Sequence, residues 1–158
     1  MRLTHGRVSS LLVLLATLVS VQHGTAQATV LGQQGLTFGI NLPGVNRTIA
    51  PTDAVNAGRF YVLHRVGGQV RLTFSLPTIL VKSGGTTLKV SYSATSAAIR
   101  TIGTGATTTT FDPGSATSFS FTTSPDIYVQ IGGTVQPKPG QTSGSYIGTI
   151  TLTVAVLQ

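Results

Sequence analysis

Few side chains in this sequence could carry out acid–base or nucleophilic chemistry. The 158 residues include three histidines, three acidic residues and no cysteine. Past residue 28 the only histidine is His64, in the strand-like run Arg59–Arg65. A hydrolytic triad would need a serine, this histidine and one aspartate, yet no serine stands in a Gly-x-Ser-x-Gly elbow. The sequence therefore predicts that the protein is not an enzyme; the aspartates available are Asp53, Asp112 and Asp126.

Metal and phosphate ligands are equally sparse. A calcium site built from Asp112, Asp126 and turn carbonyls is one alternative, but neither residue belongs to a dense Asp/Asn loop. Roles in turns and at strand starts are therefore favoured for both. The pairs Gly67–Gly68 and Gly132–Gly133 follow strand patterns and open no helix, which indicates turns or bulges rather than phosphate-binding loops. We predict no metal site and no cofactor.

The first 28 residues are typical of a signal peptide. A basic start precedes the apolar run Leu11–Val21, which is too short to cross a hydrocarbon core about 30 Å thick and suits a signal sequence. Ala26–Ala28 then fits the small-x-small cleavage rule. We expect the exported protein to begin at Thr29, with cleavage after Ala26 as the second choice.

Residues 29–158 are expected to form a single domain, secreted to the periplasm or outer cell surface, with no later segment able to span a membrane. The net charge of +7 falls to +5 once Arg2 and Arg7 leave with the signal peptide. The remaining basic residues are scattered, unlike those of nucleic-acid-binding proteins, so we expect no nucleic-acid partner. The charge is interpreted as a solubility feature, with weak binding of an anionic polysaccharide as the alternative.

Apolar residues past the signal recur with the period of two that is typical of β-strands. The clearest alternation is Gln69–Pro77, followed by Thr87–Ser93 and Asp126–Ile131. Thr104–Thr110 has low complexity and indicates a loop or a poor edge strand. With weaker candidates the count reaches about eight strands at the spacing of a sandwich, so we predict an all-β, antiparallel β-sandwich. Those weaker candidates are Leu36–Ile40, Gly58–Val66, Ala97–Ile102 and Ser118–Thr122.

The longest alternating segment is Ser145–Val156. It predicts a strand with an outward face of threonines, and an inward face that Gly148 interrupts where a large neighbour or another backbone should approach. We expect this strand to be central to the sandwich and to any assembly. The predicted structural site consists of Tyr146, Gly148, Ile150, Leu152, Val154 and Val156.

Four segments carry a family resemblance: Leu36–Gly39, Gly67–Pro77, Val129–Val135 and Gly144–Val154. Together they resemble a secreted bacterial domain family of unknown function, related to spore coat protein U and more distantly to chaperone–usher fimbrial subunits. The most specific element is the Gly-x-Tyr-x-Gly-Thr that opens the last segment. The resemblance implies an immunoglobulin-like sandwich used as a coat, fimbrial or matrix component.

The sequence departs from the relatives in two respects. Fimbrial and coat proteins commonly carry a disulfide, whereas this chain has no cysteine. Fimbrial subunits also present an N-terminal extension that completes a neighbour's sheet. Here only Thr29–Gly35 precedes the first predicted strand, and its strongly apolar residues are just Val30 and Leu31, so this arm is a poor donor.

We therefore expect a secreted, non-enzymatic structural protein of the cell surface: a fimbrial, coat or matrix subunit. Its expected partners are copies of itself or other surface subunits. The alternative is a monomeric surface adhesion or carbohydrate-binding module, which would usually present exposed aromatic platforms. The chain has no tryptophan. Tyr92 and Tyr146 alternate in step with apolar residues, which places them on the inward side of their predicted strands, so only Tyr61 and Tyr128 could form such a platform.

Overall fold

The computed structural model describes residues 28–64, 68–103, 106–121 and 126–157. The predicted signal peptide as far as residue 27, and Gly67, lie outside this range. The described residues are all-β, with twelve strands in three antiparallel sheets and no helix that could cross a membrane. The strands are β1 (Ala28–Gln34), β2 (Arg47–Ile49), β3 (Gly58–His64), β4 (Gly68–Ser75), β5 (Ile79–Val81), β6 (Thr87–Ser91), β7 (Ala97–Thr101), β8 (Thr108–Phe111), β9 (Thr117–Phe121), β10 (Ile127–Ile131), β11 (Gly133–Gln136) and β12 (Thr151–Leu157).

The three sheets differ in size and in the order of their strands. The five-stranded sheet has the order β1-β3-β10-β7-β8, the four-stranded sheet β2-β11-β6-β5, and the three-stranded sheet β12-β4-β9. At several points the chain passes from one sheet to another: β4 leads into β5, and β10 leads into β11. The four-stranded sheet therefore receives strands whose neighbours in sequence lie in the other two sheets.

The structure has twelve strands instead of about eight because β1, β2, β5 and β11 match no predicted strand and β8 lies in the segment predicted as a loop or poor edge strand, whereas the predicted strand Leu36–Ile40 does not form. Bends between sheets also divide two of the segments named in the sequence analysis. Only Gly132 separates β10 from β11, and a Cβ atom on this residue would collide with the Ile49 carbonyl oxygen and lie 2.8 Å from the Ala50 carbonyl carbon. The predicted strand Ser145–Val156 is also divided. Ile147 pairs with Val81 of the four-stranded sheet, whereas β12 begins only at Thr151 in the three-stranded sheet. Alternating burial predicts which residues face inward but does not show where a chain changes sheet.

Two apolar clusters hold the sheets together. The first joins the five- and three-stranded sheets, and the second lies under the four-stranded sheet. Tyr92 packs against both clusters, and its burial raises its pKa to about 12. The first cluster is centred on Val62, Val70, Leu72, Ala97, Ile99, Phe111, Ile127, Val129, Ile131 and Leu152, and the second on Phe38, Ile49, Ala57, Leu88, Val90 and Val135.

Candidate functional site

The C-terminal strand β12 pairs with β4 along its whole length, from Thr151 opposite Ser75 to Leu157 opposite Gln69. Leu152 is 8% exposed and belongs to the first core cluster, against which Ile150 and Val154 also pack. Val156 is half-buried. The sequence analysis expected a central strand, and the structure instead places β12 at an edge of the three-stranded sheet. A strand at an edge can bury one face as fully as a central strand does. Alternating apolar residues in the sequence therefore do not distinguish an edge strand from a central one.

The residues before β12 belong to a different environment. Tyr146 packs on the second cluster, and its hydroxyl donates to the Thr142 carbonyl oxygen at 2.6 Å. Ile147 and Val81 exchange two backbone hydrogen bonds, of 2.8 and 3.0 Å. The large neighbour expected at Gly148 is Leu80, whose Cδ2 would lie 2.7 Å from an added Cβ. The predicted structural site thus divides between two sheets and two cores.

A cleft of about 730 Å³ runs between residues 32–39 and residues 144–150. Its lining ends at Ile150, directly before β12. Its wall mixes polar and apolar groups, and the apolar contributions come from Leu36, Phe38, Leu80, Leu88, Tyr146 and Ile150.

Charge is distributed unusually over the strands of the three sheets. The edge strands are β1 and β8, β2 and β5, and β12 and β9. Of these six, only β2 contains a charged residue, Arg47, and none contains a proline. The other charged residues of the described sheets lie on inner strands: Arg59, Arg71, Lys89 and Arg100. Edge strands usually carry lysine, other charges or proline that block pairing with another chain, and five of these edges lack such protection.

Four of the five edge strands without charge or proline, all except β5, are grouped on two sides of the molecule. On one side β1 contacts β12. On the other, β8 and β9 are joined by the short connection 112–116, and the rings of Phe111 and Phe119 lie 5.2 Å apart. Thr108, Thr109 and Thr110 of β8 are all exposed, so this part of the segment predicted as a loop or poor edge strand is an edge strand, while residues 104 and 105 lie outside the described ranges. Both sides of the molecule therefore present one edge from each of two sheets.

The three aspartates occupy separate structural positions. Asp53 accepts backbone hydrogen bonds from Val55 and Asn56, both at 2.9 Å, and those bonds, the Asn56 contact first among them, lower its pKa. Asp112 Oδ1 accepts from the Gly114 amide at 2.8 Å within a turn. Within the described ranges no three His, Cys, Asp or Glu residues come together as a metal site. The side chain of His64, the last residue of β3, lies outside the described part of the chain.

Asp126 takes part in a different arrangement, on the outer face of the five-stranded sheet. The Tyr61 hydroxyl donates to Asp126 Oδ2 at 2.6 Å, and this bond raises the pKa of Tyr61. The ring of Tyr128 lies beside that of Tyr61, with 5.6 Å between the centroids. The structure thus brings together the two tyrosines that the sequence analysis left as a possible platform.

The chain was also compared with known proteins. A scan against models of protein families found no match, and a search of curated proteins found no relative.

Proposed function

We propose that this protein is an exported, non-enzymatic structural subunit of a cell surface, of the fimbrial, coat or matrix kind. In this proposal its fold is an immunoglobulin-like β-sandwich, and its subunits assemble by pairing the edges of their sheets. The apolar cluster shared by the five- and three-stranded sheets supports the sandwich. The observation that carries the function is the lack of charge and proline on five of the six edge strands.

Unprotected edges are costly for a protein that has to stay monomeric. Except for β5, whose Val81 already exchanges two backbone hydrogen bonds with Ile147, each presents unpaired backbone N–H and C=O groups to any second chain. In a protein selected to remain monomeric, charged side chains would be expected on the edge strands. Here charged residues lie on inner strands instead: Arg59, Arg71, Lys89 and Arg100. This distribution favours a protein whose edges are meant to be paired.

The arrangement of the edges favours an open, head-to-tail assembly. In the five-stranded sheet all neighbours are antiparallel, so β1 and β8 run in the same direction. A copy placed beside the first could continue both sheets at once, with its β1 and β12 against β8 and β9. Such a contact joins two different surfaces, and it does not close on itself unless the rotation forms a ring.

Pairing both sheets at once also suits the energetics. Each backbone hydrogen bond adds only about 0.5–1.5 kcal/mol net, so the four residues of β8 barely offset an association cost of at least about 4 kcal/mol. A second edge, β9, roughly doubles the number of bonds. The N-terminal arm does not act as a free donor in this arrangement, because β1 already pairs with β3 of its own chain.

The test compares two lysine substitutions in the exported protein. Thr110→Lys places a charge on the open edge β8, and Thr73→Lys places the same charge at an exposed position of the inner strand β4. Sedimentation velocity and negative-stain microscopy should show oligomers or fibres for the wild type and Thr73→Lys, and monomers for Thr110→Lys. A wild type that stays monomeric at every soluble concentration would overturn the proposal, as would equal assembly by both variants.

A further inference from the structure

Four side chains form a row across the outer face of the five-stranded sheet. Leu31 lies opposite Tyr61, Tyr61 opposite Tyr128, and Tyr128 opposite Arg100. Residues directly opposite one another in antiparallel strands project from the same face of the sheet. Their neighbours in sequence, including Val62, Ile127, Val129 and Ile99, face the core. We call Leu31, Tyr61, Tyr128 and Arg100 the tyrosine row.

The middle of the tyrosine row combines the aromatic rings of Tyr61 and Tyr128 with polar groups beside them. The Tyr61 and Tyr128 rings are inclined at 51° to each other, and both side chains remain partly exposed. The Arg59 guanidinium carbon lies 5.6 Å from the Tyr128 ring centroid. Asp126 accepts the hydroxyl hydrogen of Tyr61, which leaves the phenol oxygen free to accept a further bond. Apolar ring faces and hydrogen-bonding groups are therefore adjacent.

The two ends of the tyrosine row are available to a ligand. Arg100 is exposed, and its guanidinium makes no hydrogen bond or ion pair with any residue in the described part of the chain. Arg59, by contrast, donates to the Ala54 carbonyl oxygen at 3.3 Å. At the other end Leu31 is 53% exposed on the edge strand β1. An open apolar surface thus leads across two aromatic rings to an unpaired cation.

We propose that the tyrosine row binds an acidic polysaccharide, with sugar rings against Tyr61 and Tyr128 and a sugar carboxylate on Arg100. The face of a tyrosine ring is electronegative and attracts the polarised C–H groups of a pyranose. Neighbouring strands are about 4.8 Å apart, which is close to the rise of one sugar unit in an extended chain. The guanidinium of Arg100 offers the planar fork that a carboxylate prefers.

Neither sheet stability nor nucleic-acid binding accounts for the tyrosine row as well. A cross-strand tyrosine pair stabilises a sheet, but that role requires no unpaired arginine beside it. A nucleic acid would need cations along its whole phosphate backbone. Here one unpaired cation stands at one end of the tyrosine row, and the Asp126 carboxylate beside Tyr61 can accept a hydrogen bond from a sugar hydroxyl.

The test uses polygalacturonic acid as the acidic polymer, with neutral dextran and oligo-dT as comparison ligands. Titration calorimetry on the exported protein should detect binding of polygalacturonic acid alone. Arg100→Gln should weaken it about tenfold, as expected for one lost charge-assisted contact, and Tyr128→Val should weaken it similarly while keeping a strand-forming residue. Arg71→Gln is the matched control, because it removes the same charge from an exposed position on another sheet.

Three results would overturn the proposal. The first is no binding of polygalacturonic acid, or a preference for oligo-dT. The second is equal weakening by Arg100→Gln and Arg71→Gln, which would indicate attraction by net charge. The third is unchanged binding by a folded Tyr128→Val variant. The proposal does not depend on edge pairing, since the tyrosine row would act in a monomer or an assembly.

Discussion

The face assignment of β12 can be tested by placing one carboxylate on each side of the strand. Leu152 is 8% exposed within the first core cluster, whereas Thr151 is exposed opposite Ser75. Leu152→Asp removes about 1.5–3 kcal/mol of apolar burial and adds an unpaired buried charge that costs further free energy. We expect a total loss of about 4–6 kcal/mol, a large part of the ~5–15 kcal/mol of a typical domain. Thr151→Asp should cost about 1 kcal/mol at most.

Urea unfolding followed by circular dichroism measures the contrast. With a slope of about 2 kcal/mol per molar urea, the Leu152→Asp midpoint should fall by about 2–3 M and the Thr151→Asp midpoint by less than about 0.5 M. If Leu152→Asp does not fold at all, Leu152→Ala supplies the value, with an expected loss of about 2–5 kcal/mol. Equal midpoints for the two aspartate variants would show that the assigned faces of β12 are wrong.

Two further predictions concern the junctions between sheets. Gly132→Ala should lower the free energy of unfolding by about 3 kcal/mol, because its Cβ would collide with backbone atoms; Gly32→Ala, with nothing within 4 Å, should leave thermal melts nearly unchanged, and equal losses would contradict the close approach. Burial raises the pKa of Tyr92 to about 12, so between its ordinary value of 10.0 and that value the unfolded state releases this proton first and stability falls with rising pH. Urea midpoints across this window should fall less steeply for Tyr92→Phe, and identical slopes would refute the burial of this phenol.

Much of the local structure follows from the sequence. The alternation in β4 correctly predicts that Val70 and Leu72 are buried and that Arg71 and Thr73 are exposed. The turns at 83–86 and 112–114 also separate strands as expected. These features depend on near neighbours in the chain, where a period of two directly reports which side of a strand is buried.

Features set by distant contacts could not be predicted in the same way. The bend at Gly132 depends on the backbone of Ile49 and Ala50, which approaches from another part of the chain. The position of β12 at an edge depends on which strand lies beyond it. Both are properties of the strand order, and apolar spacing carries no information on that order.

The candidate surfaces also combine features that the local sequence predicts with features that depend on distant contacts. Parity alone placed Tyr61 and Tyr128 away from the core, but their contact with each other, and the position of Arg100 opposite Tyr128, depend on the register of three strands. Similarly, the distribution of charged residues between inner and edge strands can be recognised only when the strand order is known. Arg59 and Arg71 then stand out because they lie on inner strands beside uncharged edges.

Cross-linking between copies tests edge assembly most directly, because the chain has no cysteine of its own. Leu31 and Thr108 lie on the same register row at opposite edges of the five-stranded sheet. Mixing Leu31→Cys chains with Thr108→Cys chains under mild oxidation should produce a disulfide that joins one chain of each kind. Cross-links between two Thr108→Cys chains only, as in a closed two-fold dimer, or no cross-link under assembling conditions, would contradict head-to-tail pairing of the sheet edges.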